Sequence, residues 1–208
     1  MKNIAVFASG SGTNFQYLVD AEKNLLMSGQ IKLLISDKPN ALVNERARIA
    51  NVPTFAFDPK KYTTKADYEQ ILVEILHEYQ IDLIVLAGYM RIVGATLLAS
   101  FPNKIINLHP SLLPAFAGKD AIAQAINYGV KVTGVTVHFV DEGMDTGAII
   151  LQKALYIAED DTLETLTVKI HSLEHEILLR AVNLLVQDQV VVNQRTVVIK
   201  EYLKGVDY

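Results

Sequence analysis

The sequence contains no cysteine at any of its 208 positions. Disulfide bonds, catalytic thiolates and zinc–thiolate centres are therefore excluded, although this absence does not by itself fix the cellular compartment. No stretch reaches the ~20 consecutive apolar residues that a membrane-spanning helix requires. The N-terminus also lacks the long apolar segment and the small-residue cleavage site of a secretory signal. We therefore expect a soluble, cytoplasmic protein that has no membrane contacts.

Strongly basic segments are also missing. The formal net charge is −4, from 19 Lys and Arg against 23 Asp and Glu, so nothing predicts binding to a nucleic-acid backbone. Hydrophobic residues make up 50% of the chain and charged residues 20%, which is typical of a globular protein. There is no internal repeat, low-complexity tract or linker. We expect residues 1–208 to form a single domain, large enough to bury a core.

The hydrophobic pattern predicts strands that alternate with helices. Because strands separated by helices form parallel, right-handed crossovers, we expect a single-domain, Rossmann-like α/β fold. Its mostly parallel, twisted sheet should have helices on both faces and should begin with the strand order 3-2-1-4. The predicted strands are 4–8, 31–36, 54–57, 82–88, 105–109, 135–140 and 148–157, with a terminal hairpin of 190–192 and 196–199. The predicted helices include 42–50, 65–80, 119–128 and 163–186.

A glycine-rich loop, Ser9-Gly10-Ser11-Gly12-Thr13-Asn14, follows the first predicted strand and precedes a helical pattern. This arrangement presents backbone N–H groups and a helix N-terminus to a phosphate in many α/β folds. Phe15 replaces the third glycine of a dinucleotide-binding fingerprint, and no lysine follows to make a P-loop. Two interpretations stay open. The loop holds a single phosphate through Gly12, Thr13 and Asn14, or it is a glycine turn without a ligand.

An Asn-x-His pair ends the fifth predicted strand. Asn107 and His109 project from the same face of that strand, and Pro110 forces the chain to turn at the carboxyl edge, where α/β sheets bind ligands. An amide can donate to a developing oxyanion, and an imidazole can carry a proton. Asp145, in a loop after a later strand, is the natural carboxylate partner for His109. A polar strand end and a turn-forming aspartate are the alternative interpretations.

Glu174 borders the apolar stripe of the last long helix. A carboxylate there is costly unless it is paired. It either hydrogen-bonds a polar substrate, such as a ribose, or it forms an ion pair with a cation such as Lys169 or lies at a partly solvated edge. His171 lies on the same edge and could meet a phosphate, whereas His138 is better explained as a hydrogen-bonded core histidine. No His/Asp/Glu cluster has metal-ligand spacing and no serine stands in a nucleophile elbow, so we expect neither metal nor serine-hydrolase chemistry.

Four segments together resemble the folate-dependent formyltransferases. The Asn-x-His-Pro-Ser-Leu-Leu-Pro run with a later Asp-x-Gly is typical of that group. The glycine loop and the length of one domain favour the members that act on glycinamide ribonucleotide. The resemblance runs from residue 4 to about residue 185. The segments are the glycine loop, Leu86-Ala87-Gly88-Tyr89-Met90-Arg91-Ile92, Asn107-Leu108-His109-Pro110-Ser111-Leu112-Leu113-Pro114 and Thr136-Val137-His138-Phe139-Val140-Asp141-Glu142-Gly143-Met144-Asp145-Thr146-Gly147.

The resemblance implies transfer of the formyl group of 10-formyltetrahydrofolate, a cosubstrate, to the amine of glycinamide ribonucleotide in de novo purine biosynthesis. It implies small-molecule partners only, no metal, and a monomer or weak homodimer. It also implies a cis bond between Leu113 and Pro114. The implied catalytic residues are Asn107, His109 and Asp145. Gly12, Thr13 and Asn14 would hold the phosphate and Glu174 the ribose. The implied folate pocket consists of Met90, Arg91, Ile92, Val93, Asn107, Asp141, Glu142 and Gly143, with Lys65 as a weaker match.

In the implied reaction the neutral amine attacks the formyl carbon and gives a tetrahedral intermediate with a negatively charged oxygen. Asn107 and protonated His109 would stabilise that oxygen, and Asp145 would keep His109 protonated and relay a proton through water.

Three alternatives stay open. A formyltetrahydrofolate deformylase shares the trio but carries an additional N-terminal regulatory domain. A methionyl-tRNA formyltransferase needs a further C-terminal domain and tRNA contacts. A non-catalytic nucleotide-binding module would keep the glycine loop but would not need the trio.

Overall fold

The computed structural model describes residues 1–200, and the contacts divide the chain into two compact units, Met1–Asn107 and a second that begins at Leu108. In the first unit strands and helices alternate. Its strands are β1 (Asn3–Phe7), β2 (Gln30–Ser36), β3 (Thr54–Ala56), β4 (Leu83–Leu86) and the start of β5 (Ile105–His109). Its helices are α1 (Thr13–Lys23), α2 (Leu42–Ala50), α3 (Lys65–Glu78) and α4 (Ala95–Ser100), with a short 3₁₀ turn at Pro59–Lys61.

All strand pairs of the first unit are parallel. β1 pairs with β2 and β4, β2 pairs with β3, and β4 pairs with β5. The predicted order 3-2-1-4 is therefore confirmed. All four residues of β4 are buried, as expected for a parallel strand that is covered on both faces.

The second unit contains antiparallel pairs. Its elements are α5 (Ala121–Tyr128), β6 (Val132–Phe139), β7 (Ile149–Tyr156), α6 (Leu163–Val186), β8 (Val190–Asn193) and β9 (Thr196–Ile199). β6 and β7 pair antiparallel, and β8 and β9 form the predicted hairpin. The seven-stranded sheet has the order β3-β2-β1-β4-β5-β6-β7. The prediction of a mostly parallel α/β sheet is confirmed, with the antiparallel strand β7 at one edge.

Several element ends differ from their predicted positions for identifiable reasons. α3 ends before Gln80 and α5 begins after Asp120, because these residues have φ values of 52° and 56°, in the left-handed region that a right-handed helix cannot contain. β6 begins three residues before the predicted strand and includes Gly134. A Cβ at Gly134 would lie 2.1 Å from the carbonyl oxygen of Lys153 on β7, so this glycine permits close strand approach rather than ending the strand.

The backbone also contains one helix that was not predicted and one cis peptide bond. Helix α4 was not predicted, because its 6 residues are too few to show a helical hydrophobic period. The Leu113–Pro114 peptide bond is cis, as the resemblance implies. Among residues 1–200, no helix combines the length and the apolar character needed to cross a bilayer.

Candidate active site

The glycine loop connects β1 to α1 and is fixed by backbone geometry. Gly12, the residue that caps α1, has a φ of 74°. A Cβ at this position would lie 2.4 Å from Cγ2 of Val43, so only glycine fits. The N–H of Val43 donates to the carbonyl of Gly10 at 3.2 Å, and Nε of Arg46 donates to the carbonyl of Ser11 at 2.8 Å. Two residues of α2 therefore hold the backbone carbonyls of the glycine loop in place.

Thr13 and Asn14 form the first turn of α1. Thr13 is exposed and Asn14 is buried, with 9% of its surface exposed. N–H groups in a first helical turn have no acceptor within the helix and attract anions. The three residues predicted to hold a phosphate are thus contiguous at a helix N-terminus.

The loop after β4 presents apolar side chains next to a cation. Met90 and Ile92 are 67% and 55% exposed, whereas Val93 is buried. Nε of Arg91 donates to the hydroxyl of Tyr68 at 3.4 Å, and its Cζ lies 5.6 Å from the centroid of that ring. This distance is within the range of a cation–π interaction. The predicted folate residues 90–93 therefore include two exposed apolar side chains and a guanidinium that is held by Tyr68.

Lys65 is linked to the end of the same loop through a buried carboxylate. Its Nζ lies 3.9 Å from Oε1 of Glu69, and the N–H of Gly94 donates to the same oxygen at 2.6 Å. Glu69 is only 3% exposed, so Lys65 and the Gly94 N–H both compensate its charge. Sequence reasoning did not single out Glu69.

β5 ends with the predicted Asn107 and His109. Asn107 is half-buried, and His109 is 5% exposed. Nε2 of His109 lies 2.9 Å from the carbonyl oxygen of Phe116. Since a carbonyl only accepts, Nε2 carries the hydrogen and donates it. Nδ1 lies 3.4 Å from Oδ2 of Asp145, so the structure brings the predicted histidine and aspartate together.

Asp145 contacts two imidazoles. In addition to His109, Nε2 of His138 lies 3.6 Å from its Oδ1, and the N–H of Gly118 donates to Oδ2 at 2.8 Å. Burial raises the pKa of Asp145, but His138, the Gly118 N–H and the charge of His109 outweigh burial and hold this pKa below its ordinary value. Asp145 is therefore an anion that can stabilise positive charge on a neighbouring ring.

Sequence reasoning gave His138 no part in the site. Its ring is 2% exposed and Nδ1 lies 2.8 Å from the carbonyl oxygen of Phe139, which agrees with the predicted hydrogen-bonded core histidine. Its other nitrogen nevertheless faces Asp145. The alternation along β6, which puts Thr136 and His138 on one face, was the signal in the sequence. Oγ1 of Thr136 donates to the carbonyl of Ser111 at 2.7 Å, so this face of β6 also supports the turn that follows His109.

The acidic loop before Asp145 is a closed turn. Oδ1 of Asp141 accepts from the N–H of Gly143 at 3.1 Å and from Oγ1 of Thr146 at 2.6 Å. Asp141, Glu142 and Gly143 are exposed. A Cβ at Gly147 would lie 1.8 Å from the carbonyl oxygen of Phe139. Close backbone packing at Gly147 therefore fixes where Asp145 is presented.

Glu174 lies on α6 and is 6% exposed. Nδ1 of His171, three residues earlier, lies 2.8 Å from Oε2 of Glu174, and this hydrogen bond raises the pKa of His171. Lys169, the cation suggested by the sequence, instead binds both oxygens of Asp161, at 2.6 and 2.8 Å. The suggested Lys169 pair is therefore wrong, and the imidazole of His171 contacts Glu174 instead. Within residues 1–200, no group of three or more His, Cys, Asp and Glu residues could hold a metal ion.

Residues 2–182 match the formyl transferase family, and the chain therefore belongs to that family. The predicted resemblance is confirmed. More particularly, the chain is 56% identical over 176 residues to phosphoribosylglycinamide formyltransferase of Bacillus subtilis, over 85% of this chain and 90% of that one. It is 39% identical over 181 residues to the human trifunctional purine biosynthetic protein adenosine-3, with 87% of this chain covered but only 18% of the human protein.

Solved structures of glycinamide ribonucleotide transformylases are also similar to this chain. The crystal structure of glycinamide ribonucleotide transformylase 1 from Symbiobacterium toebii superposes with a TM-score of 0.93 at 45% identity, over 96% of this chain and 94% of that chain. The corresponding structure from Geobacillus kaustophilus gives a TM-score of 0.87 at 53% identity, over 89% and 98% of the two chains.

Proposed function

We propose that this chain transfers the formyl group of 10-formyltetrahydrofolate to the primary amine of glycinamide ribonucleotide and so makes formylglycinamide ribonucleotide for purine biosynthesis. The observation that carries the proposal is the contact between His109 and Asp145 at the end of β5, in a chain that is 56% identical to a phosphoribosylglycinamide formyltransferase.

The proposed reaction needs stabilisation of a tetrahedral oxyanion. The amine attacks the formyl carbon, the bond from that carbon to N10 of the folate breaks, and N10 gains a proton while the amine loses one. The amide of Asn107 and the Nε2–H of His109 donate to the oxyanion. In the structure this N–H is donated to Phe116, and in the reaction the substrate oxygen takes its place. One such donor typically contributes about 10²–10³ in rate.

Asp145 supports the proposed chemistry by remaining ionised. Its carboxylate stabilises positive charge on His109 and relays the proton lost by the amine, through a bridging water, to N10 of the folate. No covalent intermediate on the protein is required, which agrees with a chain that contains no cysteine.

The proposed ribonucleotide contacts follow from donor and acceptor chemistry. Gly12, Thr13 and Asn14 supply N–H groups to the phosphate. Glu174 accepts hydrogen bonds from ribose hydroxyls, because a carboxylate has acceptor capacity left after it binds His171.

The proposed folate contacts combine exposed groups with the buried Val93 and the half-buried Asn107. Met90, Ile92 and Val93 supply apolar surface to the pterin, and Asn107 lies close in sequence to the histidine that acts on the formyl group. Arg91 and Lys65 supply positive charge to the carboxylates of the folate tail. The remaining members of the proposed pocket are Asp141, Glu142 and Gly143.

Several broader expectations are also proposals. They are a single domain over residues 1–208, of which 201–208 lie outside the described part, a monomer or weak homodimer, a cytoplasmic location, and no metal, nucleic-acid or membrane partner.

A formyl-transfer assay with the purified protein tests the proposal. We expect tetrahydrofolate and formylglycinamide ribonucleotide to form in equal amounts when both substrates are present, with mass spectrometry as the readout. His109→Ala should abolish most of this activity. His77→Ala is the matched control, because His77 is exposed and its ring only stacks on Phe101. Formate release without the ribonucleotide would instead indicate a deformylase, and formylation of methionyl-tRNA would indicate the tRNA enzyme. Ribonucleotide binding without any transfer would indicate a non-catalytic module.

A further inference from the structure

Two polar residues at the carboxyl ends of β1 and β2 are buried and have no role in the proposed chemistry. Ser9 is 3% exposed and Asp37 is 7% exposed. Buried polar groups of this kind are costly unless they are hydrogen-bonded. Their partners therefore show what they hold in place.

Ser9 connects three neighbouring strand ends. Its hydroxyl donates to Oδ1 of Asp37 at 2.5 Å, and the N–H of Met90 donates to the same hydroxyl oxygen at 2.9 Å. Its own N–H donates to the carbonyl of Gly88 at 3.1 Å. A hydroxyl has one hydrogen, and an ionised carboxylate only accepts, so the chain has one direction, from Met90 through Ser9 to Asp37.

The other oxygen of Asp37 faces Arg91. Nη1 of Arg91 lies 3.8 Å from Oδ2 of Asp37, and the Arg91 side chain is 39% exposed. Tyr68 restrains the same guanidinium through a second contact, because Nε of Arg91 donates to the Tyr68 hydroxyl at 3.4 Å. Asp37 thus touches the start of the glycine loop through Ser9 and the loop after β4 through Arg91.

We propose that Asp37 and Ser9 are positioning residues that couple the phosphate loop at 12–14 to the folate-binding loop at 90–93, so that binding at one loop strengthens binding at the other. This inference rests on the proposed function. A ligand that fixes one loop also fixes Ser9 and Asp37, which hold the other loop through bonds of 2.9 and 2.5 Å, so less conformational entropy is lost when the second ligand binds. Coupling between two sites is reciprocal and typically corresponds to a factor of about 5–150 in affinity.

Calorimetry on a complex that cannot react tests the coupling. Glycinamide ribonucleotide and tetrahydrofolate, the product left when the donor loses its formyl group, bind together without chemistry. The coupling factor is the dissociation constant of tetrahydrofolate alone divided by its value at saturating ribonucleotide. We expect a factor of about 5 or more for the wild-type protein. In Ser9→Ala and in Asp37→Ala it should fall to within about twofold of 1.

Three further variants separate coupling from general damage. Ser100→Ala is the matched control, because its hydroxyl donates only to the carbonyl of Thr96 within α4, at 3.0 Å, and it should keep the wild-type factor. Asp37→Asn keeps an acceptor for Ser9 but places an amide NH2, which is a donor, against Arg91, so its coupling factor should lie between those of the wild type and Asp37→Ala. The double variant Ser9→Ala/Asp37→Ala should have the same coupling factor as Ser9→Ala, because Ser9→Ala alone already breaks the hydrogen-bond chain. A melting temperature is measured for each variant, and Asp37→Ala replaces Ser9→Ala if the latter does not fold.

The outcomes distinguish the inference from the function on which it rests. A wild-type protein that transfers no formyl group contradicts the proposed function. A wild-type protein that transfers the group but shows a coupling factor of 1, or folded Ser9→Ala and Asp37→Ala variants that keep the wild-type factor, overturns the inference alone.

Discussion

At the scale of single residues, the proposed chemistry depends most on Asp145. This carboxylate is 3.4 Å from His109 and 3.6 Å from His138, and it takes a left-handed φ of 56° that is uncommon outside glycine. Both histidines direct their other ring nitrogen at a backbone carbonyl. The remaining nitrogen of each ring therefore lies against the negative charge of Asp145.

Replacement of Asp145 by asparagine should remove the charge and keep the shape. We expect Asp145→Asn to lower the turnover number by about 10²–10⁴-fold and to leave the dissociation constants of glycinamide ribonucleotide and tetrahydrofolate nearly unchanged. His109→Ala should be at least as severe, and the double variant no worse than the worse single variant, because the two residues act as a unit. Steady-state kinetics and calorimetry provide the measurements.

Asp20→Asn is the control, since Asp20 is exposed on α1 and its carboxylate accepts only a surface bond from Gln16, at 2.9 Å. A double variant whose turnover number falls by the product of the two single-variant factors would contradict a shared role.

The pH dependence of stability gives an independent check on the charge of Asp145. Because the folded-state pKa of Asp145 is lowered, its carboxylate stabilises the fold above the ordinary carboxyl pKa. This contribution is lost as the pH falls through the lowered value, so wild type and Asp145→Asn should converge in unfolding free energy in acid.

At the scale of elements, loops after strands carry the candidate groups, and the strands and helices around them fix the loop shapes. α2 holds the carbonyls of the glycine loop, and β6 supports the turn after His109 through Thr136. The loop between β6 and β7 has the tightest restraint, because Gly147 packs against the backbone of Phe139. Asp145 lies two residues before this contact.

Gly147→Ala should therefore move the loop that carries Asp145. Its Cβ would meet the carbonyl oxygen of Phe139 at 1.8 Å, and a backbone group cannot rotate away. We expect a loss of about 1–3 kcal/mol in unfolding free energy and a fall in turnover of about 10²-fold, the effect of a misplacement near 1 Å. Denaturant unfolding and kinetics measure both quantities.

The matched control for this loop is Gly129→Ala. Gly129 has a φ of 80° and open space around its Cβ position, so alanine should cost about 1 kcal/mol in backbone strain without affecting turnover. Equal turnover in Gly147→Ala and wild type would show that the position of the loop does not control Asp145.

At the scale of the whole molecule, stability should report occupancy of each proposed subsite. A ligand that binds only the folded chain at 100 times its dissociation constant adds about 2.7 kcal/mol. For a chain of this size that corresponds to roughly 5–11 °C in melting temperature. Glycinamide ribonucleotide and tetrahydrofolate should each raise the melting temperature of the wild-type protein when added alone.

Asn14→Ala and Glu174→Ala should each reduce the shift produced by the ribonucleotide and leave the shift produced by tetrahydrofolate unchanged. Differential scanning calorimetry at matched ligand concentrations provides the measurement. Glu176→Ala is the control for Glu174→Ala, because Glu176 lies on the same helix, is 65% exposed and pairs with Lys153. If either variant mainly lost the tetrahydrofolate shift, the two subsite assignments would be reversed.

The sequence by itself determined the features that local chemistry controls. Apolar runs alternating with helical periods predicted the strands, every helix except the short α4, and a parallel sheet that begins with the order 3-2-1-4. Strand alternation also put Asn107 and His109 on one face of β5, and the left-handed requirement at Gly12 is visible as a glycine before a helix. The site roles themselves stay predictions.

Only the tertiary structure decided which distant side chains meet. It placed His138 against Asp145, gave His171 rather than Lys169 to Glu174, and buried Ser9 on Asp37, 28 positions away. It also extended β6 through Gly134, where the approach of β7 leaves no room for a Cβ. Such contacts depend on how strands and loops from separate parts of the chain pack, and periodicity within a single segment contains no information about that packing.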